Sequence, residues 1–80
     1  MNIQLIQGEF NPKDALELLT QMIHIKIKYH ENKIVNNSTE EDIKSRESKI
    51  KQLQKELYEL RENINSKNKS YKIEGTIKID

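Results

Sequence analysis

The sequence predicts an α+β fold of order β-α-α-β, in which a long, coiled-coil-like antiparallel helical hairpin stands on a two-stranded antiparallel sheet. Three observations predict it. Period-two stretches occupy residues 2–7 and 71–79; helical periodicity without an internal glycine or proline occupies residues 12–34 and 39–65; and a short polar break from Val35 to Thr39 parts the two helices. Residues 1–80 thus read as a single domain.

In the first strand, Ile3 and Leu5 fall on one side and Gln4 on the other, and Gly8 is expected to end it. Asn11-Pro12-Lys13-Asp14 then reads as a helix start: a capping side chain, a proline at the first helical position and a carboxylate two residues on. Phe10 before the cap is placed to staple onto Ala15 or Leu16. Along the first helix, Leu16, Leu19, Ile23, Ile27 and Ile34 form one apolar stripe, and Ala15, Leu18, Met22, Ile25 and Tyr29 form a second beside it. Two stripes exceed what one partner helix covers, so this helix is expected to touch helix 2 and also the sheet or another subunit.

Ser38 or Thr39 is expected to cap the second helix, ahead of Glu40, Glu41 and Asp42. Its apolar positions, Ile43, Ile50, Leu53, Leu57, Leu60 and Ile64, keep a heptad register that only Arg46 breaches. The last strand alternates Tyr71, Ile73, Ile77 and Ile79 with Lys72, Glu74, Thr76 and Lys78, and Gly75 in its middle marks a bulge or a close approach. A lone pair of strands is marginal in water, so the expected assembly is a homodimer, or a higher oligomer built from it, with the sheet extended to four strands.

Fourteen basic and thirteen acidic residues leave a net charge of +1, which provides no bulk attraction to nucleic acid or to an anionic membrane. With no cysteine, disulfides and thiolate metal sites are excluded. No leader-like start and no apolar run of about 20 residues is seen, so the expected location is the cytoplasm. Of the basic residues only Arg46 and Arg61 are arginines, as AT-rich codons produce; a low-GC bacterium or one of its phages is the expected source.

Catalytic signatures are missing: there is no glycine-rich phosphate loop, no nucleophile elbow and no pair of histidines one helical turn apart. His24 and His30 are six residues apart, turned away from one another on a helix. The expectation is a non-enzyme without cofactor or metal.

One constellation stands out. Lys26, His30 and Lys33 recur at i, i+4 and i+7 inside the apolar arc of the first helix. Folding the hairpin about residues 37 and 38 sets Arg46 opposite Tyr29 and His30, and Lys49 opposite Lys26. Lys26, Tyr29, His30, Lys33 and Arg46 are therefore the candidate site for an anion such as a phosphate, a nucleotide or an acidic segment of a protein. The blander alternative has the lysine heads extended to water, Arg46 paired with Glu31 or another nearby acid, and His30 as an ordinary half-buried histidine.

The leading functional expectation is a small homo-oligomeric binding protein that engages a host or regulatory protein through its hairpin, as a phage-type inhibitor or adaptor would, with Met22, Ile25 and Tyr29 as the interface. The first alternative is sequestration of an anionic small molecule or nucleotide signal between subunits. The second is a ribbon-type DNA-binding regulator. A strand followed by two helices resembles the ribbon-helix-helix repressors in topology, which implies paired strands in the major groove. Against it, the outward residues Asn2 and Gln4 carry no charge and both helices are long, so nucleic acid is disfavoured.

Overall fold

A computed structural model describes residues 1–64 and 69–80. Its elements are β1 (Asn2–Phe10), α1 (Pro12–Asn32), α2 (Glu40–Asn63) and β2 (Tyr71–Lys78), in the order that the sequence predicts. The two strands pair antiparallel, and the two helices form the hairpin.

β1 outruns its predicted end at residue 7 because Gly8 does not break it. Gly8 has φ +145°, a backbone conformation that suits glycine and strains other residues, and it stays in the ladder opposite Ile73. The strand continues to Phe10, opposite Tyr71. The predicted Ile3–Leu5 face is also replaced. Ile3 pairs with Ile77 and Ile6 with Gly75, with a register shift between Gln4 and Ile6. Leu5 is the extra residue, unpaired and 53% exposed, and the bulge brings Ile3 and Ile6 to the same side. Gly75 belongs to this arrangement, since a methyl group there would lie 3.1 Å from Ile6 Cγ2.

The capping signals act as their residue types dictate. Asn11 Oδ1 accepts from the Asp14 amide at 2.8 Å, which secures the start of α1. The helix stops at Asn32, two residues before the predicted Ile34, because its last turn tightens: the amides of Lys33 and Ile34 donate to His30 and Glu31, three residues back, each at 3.2 Å. The connector closes on itself, with the Val35 amide donating to Ser38 Oγ and the Ser38 amide to the Val35 carbonyl, both at 3.0 Å. Ser38 is thereby engaged, and Thr39 caps α2 by accepting from the Asp42 amide at 3.1 Å. α2 closes at Asn63, and its predicted end at Asn65 lies outside the described residues.

The seam between the helices is the heptad one. Ile27, Leu53, Leu57 and Ile64 are buried, and Leu16, Leu19, Ile23, Ile34, Ile43, Ile50 and Leu60 are half-buried. The second stripe of α1 is covered only in part: Ala15 is buried and Met22 half-buried, while Leu18, Ile25 and Tyr29 are exposed. Phe10 lines an open groove together with Asp14, Glu17, Leu18 and Gln21. The Tyr71 hydroxyl donates to the Asn63 carbonyl at 3.1 Å and ties β2 to the end of α2.

The radius of gyration is 15.4 Å, against about 11.6 Å for a compact chain of this length. The molecule measures 48 × 33 × 13 Å, hardly thicker than one helix.

Candidate functional site

Helical spacing places Lys26 and His30 along one flank of α1 with Lys33 at its C-cap, and the heptad of α2 delivers Arg46 to the same level. Arg46 stands in the seam, half-buried, between Ile43 and Ile50. Its Nη1 lies 3.0 Å from His30 Nδ1. A guanidinium can only donate, so Nδ1 accepts and the proton of the neutral ring resides on Nε2. The guanidinium carbon also lies 5.7 Å from the centre of the Tyr29 ring, and Lys33 Nζ lies 5.5 Å from it. These are cation–π distances. Tyr29 and His30 meet edge to face with centroids 5.4 Å apart.

Beside this group the hairpin opens into a groove of about 340 Å³ lined by Lys26, His30, Lys49, Gln52, Leu53 and Glu56. Its electrostatics are legible at His30, whose pKa is held below the ordinary 6.5, first by burial and then by the positive charges of Arg46, Lys49 and Lys26. The expected pairing of Arg46 with Glu31 or another nearby acid does not form. Among the described residues the ion pairs are Lys44 with Glu40 and Lys78 with Asp80, each at 3.8 Å, and Arg46 meets no carboxylate.

The predicted residues therefore come together unequally. His30 joins two groups: it lines the groove with Lys26, and it meets Arg46, which with Lys33 rests on Tyr29; Arg46, Tyr29 and Lys33 do not line the groove themselves. Lys49, Gln52 and Glu56 belong to the site but were not among its predicted members. Their signal is the i, i+3, i+7 spacing on α2 opposite Lys26, which becomes readable only once the hairpin register is set. Met22 lies at the border of the flank, half-buried, with Ile25 69% and Tyr29 54% exposed beyond it.

His24 is exposed, away from the cluster, and among the described residues no group of His, Asp or Glu is arranged to hold a metal. No helix among them is long and apolar enough to cross a membrane. No family model, curated protein or solved structure matches the chain.

Proposed function

We propose that the chain is a non-catalytic binding protein that engages a protein partner through the flank of its helical hairpin. Arg46 takes an acidic side chain of the partner, and Met22, Ile25 and Tyr29 take the apolar residues beside it. The observation that carries this reading is the placement of Arg46. An arginine in an apolar seam weakens helix packing, and here it rests on an aromatic ring and a neutral imidazole, with no carboxylate among the described residues to satisfy it. Its remaining N–H donors are left for a carboxylate to bridge in a bidentate manner. An uncovered apolar stripe next to such a cation is the pairing of anchor types that protein interfaces favour. An inhibitor or adaptor acting in the cytoplasm fits this surface.

A second reading is favoured by the groove itself: a small anion held by Lys26, His30 and Lys49, without use of the apolar stripe. A single experiment separates the two. The ¹⁵N-labelled protein is titrated with a peptide alternating Glu and Leu, and separately with inorganic phosphate. Shifts at Met22, Ile25 and Tyr29 with the peptide, lost in Arg46→Ala, support the protein partner. Shifts with phosphate confined to Lys26, His30 and Lys49 support the small anion. If neither probe moves these residues, both readings fail.

A further inference from the structure

Among the described residues the sheet has two strands and thus two unpaired edges, which differ in quality. The outer edge of β1 is interrupted by the bulge between Gln4 and Ile6 and by the unusual backbone of Gly8, devices that blunt an edge. β2 is regular over Tyr71–Lys78 and contains no proline. Its backbone orientation follows from one end: the Met1 amine donates to the Ile79 carbonyl and the Ile79 amide to the Met1 carbonyl, both at 2.7 Å. In an antiparallel ladder alternate residues turn their N–H and C=O the other way, so Lys72, Glu74, Thr76 and Lys78 present theirs along the outer edge.

A second copy adding to this edge must match hydrogen bonds and faces together. Only two-fold registers that set outward-turned residues (Lys72, Glu74, Thr76, Lys78 and, continuing the alternation, Asp80) opposite one another do so. We propose that β2 pairs antiparallel with β2 of a second copy of this chain about a two-fold axis through Thr76, making a four-stranded sheet of order β1-β2-β2-β1. In this register Lys72 lies opposite the partner's Asp80, Glu74 opposite the partner's Lys78, and Thr76 opposite the partner's Thr76. On the other face Ile73 meets the partner's Ile79, and Ile77 meets the partner's Gly75.

Neighbouring registers are worse by charge. An axis at Gly75 sets Lys72 against the partner's Lys78, an axis at Glu74 sets that carboxylate against itself, and an axis at Ile77 sets Glu74 against the partner's Asp80. An axis at Ile73 avoids repulsion but uses only residues 71–75 and leaves Ile77 and Ile79 uncovered. Directly opposed like charges destabilise a sheet and opposed unlike charges stabilise it.

Burial points to the same register. Tyr71, Ile73 and Gly75, at the base of the hairpin, are half-buried, whereas Ile77 and Ile79 are 42% and 47% exposed. The Thr76 axis lays the covered half of each strand beside the uncovered half of the other. The surface area also calls for such a partner. The chain exposes 6574 Å², roughly 1500 Å² more than a compact protein of 9.5 kDa, and a stable interface needs about 800 Å² from each side.

The test is molecular mass in solution, by light scattering after gel filtration, on the full chain and on two variants. Wild type is expected at twice the chain mass. Glu74→Lys and Lys78→Glu each place like charges across the axis, twice per dimer, and each is expected to run at the chain mass with the helical circular dichroism of wild type. Mixing the two variants restores both opposite-charge pairs, so the mixture is expected to return to the dimer mass and contain one copy of each. A monomeric wild type overturns the proposal, as do variants that remain dimeric alone or a mixture that stays monomeric. The helical flank of the hairpin is not involved, so this outcome is independent of partner binding.

Discussion

Arg46 occupies a seam position whose neighbours one turn away are Ile43 and Ile50, and restoring the pattern there is a direct probe of what the arginine is for. Arg46→Leu completes the heptad and is expected to stabilise the fold by about 1 kcal/mol, which for a chain this small raises the thermal midpoint by roughly 4–8 °C. The same variant should lose peptide binding. A midpoint that falls instead would assign Arg46 a structural role. His30 supplies the pH dependence. Its folded pKa lies below the 6.5 of the free side chain, so between those two values the unfolded chain binds more protons and stability rises with pH. Its contribution is fully present above pH ~6.5 and is lost as the pH falls toward the folded value. Protonation also removes the lone pair on Nδ1 that accepts from Arg46, which frees the guanidinium and adds a positive charge beside it. An anionic ligand should therefore bind more tightly at lower pH and raise the His30 titration midpoint. Carbon-detected titration of the His30 ring, with and without the Glu-Leu peptide, checks both signs; a midpoint at or above 6.5 in the free protein contradicts them.

At the scale of elements, the legible parts were those governed by local chemistry. The Asn11 and Thr39 caps, the heptad of α2 and the alternation of β2 from Tyr71 to Gly75 are all set by side chains within a few residues, and each stands where the sequence places it. What sequence could not supply depends on pairing. A bulge at Leu5 shifts the faces of β1 only because Ile6 must lie opposite Gly75, and nothing within residues 2–7 announces that. Gly8 reads as a strand end by composition, yet its freedom of φ is what lets the strand pass through. Gly8→Ala is accordingly expected to cost about 1–3 kcal/mol, because the strain lies in the backbone at φ +145° while the space beside it is ample, the nearest Phe10 atom lying 3.7 Å from where the added methyl would stand. Trimming Phe10 should not rescue it. Thermal denaturation of the single and double variants makes the comparison. The candidate site follows the same division. Lys26, His30 and Lys33 were visible as a break in an apolar stripe, and Arg46 as a breach of the heptad. The pairing of Arg46 with an imidazole in place of a carboxylate required the hairpin.

For the molecule as a whole, the relation between core and surface leads to a last prediction. Among the described residues the side chains buried within one chain are few, Ala15, Ile27, Leu53, Leu57 and Ile64, and small domains draw only a few kcal/mol from such a core. Meanwhile Ile3, Leu5, Ile77 and Ile79 lie substantially exposed on the sheet, away from the hairpin seam. If pairing of β2 edges completes the fold, folding and association are coupled, and the thermal midpoint must rise with protein concentration by mass action. A monomer that folds alone has a midpoint independent of concentration. Measured over a hundredfold range of concentration, wild type is expected to show a steady increase, and an equimolar mixture of Glu74→Lys and Lys78→Glu chains should recover that slope. Each variant alone should melt lower and with no such dependence, since its isolated hairpin retains only its own seam. Leu57→Ala removes part of that seam at a cost of about 2–5 kcal/mol, and it should lower the midpoint of the dimer without abolishing the slope, because it leaves the β2 edge intact. A slope lost with Leu57→Ala but kept with Glu74→Lys would place the subunit contact on the hairpin instead of the sheet.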